Sequence, residues 1–393
     1  MPDVSIMPIP KGIDQFSPDT SMPKGTARDA LNVDIDRAGN FARRDGFAIA
    51  LAGANLHSLH SHDDNAYVCQ ANALCLYTAP STLTPVITLP SAQPVQFHSS
   101  ESGLYFCQTD CVGVIDQLGA RLIGVPDGNY LGALPADVGG LEAGRYGVAY
   151  SYCFEFPGRA IEEGSLGPIT FLQIAAGSGI RANFPAAPIG ATHARIYRTD
   201  ANGESLHLVS HIPTAIPSYL LGRSSLGRNP TTRGTRRIRG GHAIRYWKGR
   251  LLIARDNVLG FSMPMNYGLE DVRSGFVQFP ARITFIEGVE GGVFIGQPNG
   301  VAFLAGTRPD DWSMRQVSAV APVPGSSAYI DAYQIDSDMQ LNGKVAVWLS
   351  ASGYAVGTAD GVVIYPQGKR INIPAVTSGH TCVLNQRATT LTL

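Results

Sequence analysis

The run Gly292-Val-Phe-Ile-Gly-Gln-Pro-Asn-Gly-Val-Ala-Phe303 decides the fold. Apolar residues stand on both sides of Gln297-Pro-Asn-Gly300, whose residues bend the chain or accept left-handed geometry, so the stretch is written as a β-hairpin. Four other stretches carry the same design: Ala66–Tyr77 (AYVCQANALCLY), Leu104–Ile115 (LYFCQTDCVGVI), Arg250–Phe261 (RLLIARDNVLGF) and Tyr354–Tyr365 (YAVGTADGVVIY). A further strand precedes several of them, at Leu56–His60, Val95–His98, Ala243–Trp247 and Ile283–Gly288. Another follows at Leu83–Leu89, Arg121–Val125 and Arg370–Ile373.

A hairpin flanked by one strand on each side is a four-stranded unit, and its recurrence predicts an all-β chain. The arrangement that buries such units against one another is a β-propeller, here of about five to six blades; a β-sandwich or barrel of similar strand spacing is the alternative. Composition agrees with the class. Across 393 residues, 44 Gly and 26 Pro exceed what long helices tolerate, and charged residues make up only 16%.

The gap between the second and third hairpins is too long for a blade connection, which predicts an insertion. Within it, Tyr146–Phe156 alternates as a long strand, Pro157-Gly158 turns, and Ile169–Ile174, Ala194–Arg198 and Leu206–His211 follow as strands. The expected organisation is residues 1–143 as the closing strands and first blades, 144–222 as an inserted β-sandwich, and 223–393 as the rest of the propeller. Asn32–Asp36 and Phe41–Ala50 read as a strand pair about the turn Arg37–Asn40, placed to close the ring.

A net charge of −1 exerts no global pull toward nucleic acid or acidic lipid. No apolar run approaches the roughly 20 residues of a membrane-spanning helix, and the first residues lack the apolar core of a secretory leader. Cys69, Cys75, Cys107, Cys111, Cys153 and Cys382 sit in apolar runs, where a thiol behaves as a small hydrophobe; reduced core cysteines of a protein made in a cytoplasm are expected.

No motif of hydrolytic, nucleotide-binding or zinc-protease chemistry occurs, and the acid pairs Glu162/Glu163 and Asp310/Asp311 stand on adjacent positions that point apart in an extended chain. Not an enzyme, no cofactor and no metal are the expectations. The densest ligand-like group is His57, His60 and His62 ahead of Asp63 and Asp64, but on a strand His57 points away from the other two. The most one-sided charge is Arg223, Arg228, Arg233, Arg236, Arg237, Arg239, Arg245, Lys248 and Arg250, with no acid between Gly222 and Gly249. Its first half reads as a flexible linker. Arg233, Arg236, Arg237, Arg239, Arg245 and Lys248 are the candidate interaction residues, solvated or facing a neighbouring subunit, or else touching DNA phosphates without sequence preference.

Four pieces carry a resemblance: Gly25–Phe47 (GTARDALNVDIDRAGNFARRDGF), Gly240–Arg255 (GGHAIRYWKGRLLIAR), Phe276–Ile283 (FVQFPARI) and Val293–Val301 (VFIGQPNGV). Together, and in order, they resemble a group of tailed-bacteriophage virion proteins, while the inserted segment resembles a fibronectin type III-like sandwich. The resemblance implies a propeller-type structural protein of the viral tail, of the nozzle, hub or fibre-attachment kind. It also implies other tail proteins as partners, a symmetric ring or several copies per particle, and residence in the virion. A host-receptor or glycan-binding protein of the tail tip is the alternative function.

Overall fold

The computed structural model describes residues 8–36, 38–44, 46, 48–335, 341, 343–366, 373, 376–384 and 387–392. Its regular structure is antiparallel strand, joined by turns and short 3-10 segments. The N-terminal pair, β1 (Val33–Ile35) and β2 (Phe41–Arg43), sets Val33 opposite Arg43. It is the expected strand pair in shortened form, but among the described residues β1 and β2 pair only with each other and join no other sheet, so the ring closure expected of them is not seen; Arg37, Asp45 and Phe47 of that stretch lie outside the described residues.

Four-stranded antiparallel sheets follow. The first is β3 (Leu56–His62), β4 (Asn65–Gln70), β5 (Ala73–Thr78) and β6 (Thr82–Thr88); the second is β7 (Gln96–Ser100), β8 (Gly103–Gln108), β9 (Cys111–Asp116) and β10 (Gly119–Leu122). The inserted unit holds β11 (Gly132–Ala136), β12 (Gly144–Phe154), β13 (Glu162–Glu163), β14 (Thr170–Ile174), β15 (Gly179–Asn183), β16 (His193–Arg198), β17 (His207–Pro213) and β18 (Ser218–Leu221). After β19 (Thr235–Arg237), the third four-stranded sheet comprises β20 (Ala243–Trp247), β21 (Arg250–Arg255), β22 (Val258–Phe261) and β24 (Phe276–Gln278). Between the last two, β23 (Leu269–Asp271) loops out to pair with β19. The fourth is β25 (Phe285–Val289), β26 (Gly292–Gln297), β27 (Gly300–Ala305) and β28 (Ser313–Ser318); the fifth is β29 (Ala328–Asp331), β30 (Lys344–Ser350), β31 (Gly353–Gly357) and β32 (Val363–Ile364). A pair, β33 (Gly379–Leu384) and β34 (Arg387–Thr392), ends the chain.

Four of the expected hairpins are the second and third strands of their sheets. The fifth is displaced by one strand: Tyr354–Tyr365 spans β31 and β32, whereas the central hairpin of that sheet is β30–β31, with Trp348 opposite Ala355. Residues 370–372 of the strand expected at Arg370–Ile373 lie outside the described residues.

The inserted unit has two sheets, β11-β15-β18 and β13-β12-β16-β17 with β14 on the edge of β12, closing over one core that includes Tyr146, Tyr150, Ile180, Ile196 and Leu221. Strand β11 lies before the expected start at residue 144, yet its Leu134 pairs with Arg181 of β15; a cut at 144 separates it from its only sheet. The stretch expected to be a flexible linker is instead tied down. Arg223 N–H donates to Gly139 O, Leu208 N–H to Arg228 O, and Arg236 pairs with Glu270 in β19–β23.

Both faces of these sheets are buried, which explains runs such as Leu251-Leu252-Ile253-Ala254 in which every side chain is inside. Alternate residues of a strand point to opposite faces, so the second to fifth sheets each contribute to two cores, and the first to the one it shares with the second. Leu251 and Ile253 meet Tyr105 and Val112 of the second sheet, while Leu252 and Ala254 meet Ile286 and Val293 of the fourth. The series continues in both directions: Cys69 and Leu74 pack with Leu104 and Phe106, and Phe294 and Phe303 pack with Trp348 and Ala355.

Gly300 shows how tight the hairpins are. At φ +131° it adopts a conformation L side chains avoid, and a Cβ there would sit 2.2 Å from Ser318 O. Trp348 fills the interface of the fourth and fifth sheets, its ring 5.3 Å from Phe285 and 5.5 Å from Phe294. Trp348→Ala is expected to lower the unfolding free energy by about 3–5 kcal/mol in urea denaturation. Trp348→Phe is expected to cost clearly less, because the indole N–H has no hydrogen-bond partner to lose.

Candidate functional site

The first strands of successive sheets meet: β3 with β7, β7 with β20, β20 with β25, β25 with β29, and β29 with β33. Along β7, β20, β25 and β29 opens a cavity of about 500 Å³, lined by His98–Ser102, Arg245–Lys248, Glu287–Glu290, Tyr329 and Lys344. Three contacts lock β20 to β25, each joining a residue to the one 42 positions on. Arg245 grips Glu287 with both arms of its fork, Nη2–Oε1 2.7 Å and Nε–Oε2 3.1 Å. Trp247 Nε1–H donates to Val289 O at 2.8 Å, and Lys248 Nζ donates to Glu290 Oε1 at 3.1 Å. Burial alone would lower the Arg245 pKa, but attraction and hydrogen bonding to Glu287 hold it above the ordinary arginine value.

Two histidines of this region are kept neutral. Burial, then the charges of Arg245, His60 and Lys344, push His98 down to about 3. Burial, then Arg245, His62 and His380, bring His60 down to about 4. His60 Nε2 lies 2.9 Å from Ser99 Oγ, and its ring stacks on Phe97 at 5.2 Å.

The basic stretch distributes differently from the expectation that its counter-charge belongs to another molecule. Glu270, 1% exposed, receives Arg236 Nε at 2.6 Å, Arg239 Nε at 2.9 Å and Arg255 Nη1 at 3.2 Å. Arg228 reaches Glu163, and Arg245 and Lys248 are paired across the cavity wall. Arg237 donates its backbone N–H to Asp127. Arg233 is exposed and has no ion-pair partner among the described residues. No acid lies near Arg236 or Arg239 in the local sequence; Glu270 reaches them from 34 and 31 positions away, through sheet pairing.

The other sequence candidates scatter. His57 bonds Ser58 Oγ and Ala71 O, His60 turns to Ser99, and His62 lies 3.6 Å from Asp63. Glu163 is buried and accepts from Ser151 and Tyr197, with Arg195 beside it; Asp311 pairs with Arg308 at 3.2 Å. Trp247 is buried against Phe261, Trp312 and Ile286, so it presents no aromatic surface to a sugar. One set of ligand-type groups does converge, and the sequence reading missed it: Glu155, the residue after β12, with His193 of β16 and His211 of β17.

No protein-family model matches the chain, and no curated protein matches it. Among solved structures it is similar to BBS1N in complex with ARL6DN, at 12% identity over 89% of this chain and 96% of that one, TM-score 0.32. A computationally designed protein, Ika8, matches at 11% identity over 87% of this chain and 81% of that one, TM-score 0.32. PorZ of Porphyromonas gingivalis matches at 13% identity over 90% of this chain and 52% of that one, TM-score 0.21.

Two outcomes are expected here. Arg236→Gln combined with Arg239→Gln leaves Glu270 with Arg255 alone and should lower the unfolding free energy by about 1–2 kcal/mol, a figure discounted because both guanidinium groups reach solvent. Arg233→Gln in the same urea series should change nothing measurable. The second concerns pH. His60 and His98 titrate near 4 and 3 when folded and near the ordinary 6.5 when unfolded, so below 6.5 the unfolded chain binds more protons. Stability is therefore complete above that pH and falls as pH drops toward 4. The double variant His60→Gln/His98→Gln should flatten the melting temperature between pH 6.5 and 4, with a residue of the slope left by His242, which burial also lowers.

Proposed function

We propose that the five four-stranded sheets and the β33–β34 pair are the blades of a six-bladed β-propeller. On this reading β3, β7, β20, β25, β29 and β33 are the innermost strands around the cavity, and the two-sheet unit is a fibronectin type III-like insertion in one blade connection. The observation that carries the reading is the succession of cores from the first sheet to the fifth, in which the second, third and fourth sheets each pack one face on the sheet before and the other on the sheet after, and the fifth packs on the fourth and next to Ala388 of β34. Repeated units joined only to their neighbours bury what none can bury alone.

The function this supports is a structural scaffold that presents an inserted module and loops to other proteins. The sequence resemblance makes the setting a tailed-phage tail, with other tail proteins as partners and several copies per particle. The cavity charges Arg245 and Lys248 are already matched, and about 500 Å³ is the size of a small-molecule site rather than a path for duplex DNA. Contact with DNA would then fall to an outer surface, where Arg223 and Arg233 are exposed.

Electron micrographs of the purified chain should show a disc with six wedges and a projecting knob, and an antibody against residues 132–221 should label the tail of the particle that carries this chain. An open arc of sheets would overturn the propeller; label on the head, or on no particle, would overturn the tail assignment.

A further inference from the structure

We propose that Glu155, His193 and His211 form a binding site for a divalent transition-metal ion of the zinc type, a property the scaffold reading does not require. Strand pairing places them. Cys153 of β12 stands opposite His193 of β16, and His193 opposite Pro213 of β17. Glu155 and His211 are each two residues from those partners, so period-2 alternation sends all three side chains to one face of the sheet. That is the face turned away from the core of Tyr150, Ile196 and Ile212.

The donors meet at a point. Glu155 Oε2 lies 3.2 Å from His193 Nδ1 and 3.0 Å from His211 Nε2, and the imidazole rings lie parallel, 4.7 Å apart. A tetrahedral zinc ion about 2.0–2.2 Å from each donor keeps neighbouring donors about 3.3 Å apart, close to the spacing already present. The backbone is held in register by Thr192 N–H to Cys153 O (3.0 Å), Glu155 N–H to Thr192 Oγ1 (2.9 Å) and Thr214 N–H to Thr192 O (3.0 Å). Thr192 Oγ1 lies 3.1 Å from His193 Nδ1 and 3.2 Å from Cys153 O, so the hydroxyl can donate to the carbonyl and leave the imidazole lone pair for a cation. Two imidazoles and one carboxylate favour zinc-like ions over magnesium or calcium, which prefer all-oxygen sets. The side chains are 28% (His193), 30% (His211) and 41% (Glu155) exposed, so an ion has entry from solvent and keeps a position for water. It would clip the end of β12 to β16 and β17.

The test uses the full chain, free of any tag and stripped with chelator, titrated with zinc against a chromophoric competitor and, separately, with cobalt(II). One zinc should stay bound per chain through gel filtration, zinc should raise the melting temperature, and cobalt should give the visible bands of a four-coordinate site. His211→Gln and Glu155→Gln should each weaken zinc by at least about tenfold. His62→Gln, a histidine outside the cluster, should leave binding unchanged. Metal-free melting of each variant at the wild-type temperature separates lost ligation from lost fold. Wild-type protein that retains no zinc, or a His193→Gln/His211→Gln variant that binds as wild type does, would overturn the proposal. Neither result bears on the propeller, which is read by imaging.

Discussion

A four-stranded sheet that is apolar on both faces cannot be stable alone; every other feature of this chain follows from the need to cover each sheet twice. Leu251 and Ile253 look one way and Leu252 and Ala254 the other, and the molecule extends by repeating that relation from one sheet to the next. Because each core is shared, the largest side chains sit between sheets rather than within them. Trp247 packs on Trp312 and Ile286, and Trp348 on Phe285 and Phe294. The glycines answer the same demand: at Gly113 a Cβ would fall 2.0 Å from the ring of Phe106, so one residue in the sheet is reduced to leave room for a neighbour's aromatic.

Charge is handled by a second device. A nearly buried carboxylate is surrounded by cations that reach it from different strands: Glu287 by Arg245; Glu163 by Arg195 and Arg228; Glu270 by Arg236, Arg239 and Arg255. Removing the carboxylate of such a group leaves its cations without compensation, so these clusters specify geometry even where their net contribution to stability is small. The Glu270 cluster also explains why the basic connector does not hang free. Its arginines end in a carboxylate presented by β23, the strand that loops out of the third sheet to pair with β19.

The hairpins were legible because a turn and its two strands are neighbours in sequence. Gly292–Phe303 declares its own pairing, and the structure places Phe294 opposite Phe303. The fifth sheet was read one strand out of frame because Val345–Leu349 and Tyr354–Gly357 are flanked by turns on both sides, and local pattern does not rank Ser350–Gly353 above Thr358–Gly361 as the central turn. Strands β11 and β15 escaped notice since Gly132-Ala-Leu-Pro-Ala136 and Gly179-Ile-Arg-Ala-Asn183 hold small and polar residues whose strand character comes from pairing with each other. Side-chain constellations were the least legible. Arg236 is 34 residues from Glu270, and Glu155 is 56 from His211; only the register of intervening strands brings them together.

The cavity and the inserted unit divide the molecule's chemistry. At the cavity, Arg245 and Lys248 are paired with Glu287 and Glu290 and the histidines His60 and His98 are kept neutral, so part of the wall's charge is already committed, while Glu101 and Lys344 also line it. The inserted unit gathers Glu155, His193 and His211 on its outer face, their side chains bonded to one another and to Thr192, at a sheet end where β12, β16 and β17 finish or begin. The inserted unit is tied back to the second sheet by Arg159 on Asp116 and to β19 by Ser165 on Thr235, and its outer face can vary without disturbing the succession of shared cores. On the scaffold reading, recognition therefore belongs to the insertion and the exposed loops, and the sheets exist to hold them at fixed positions.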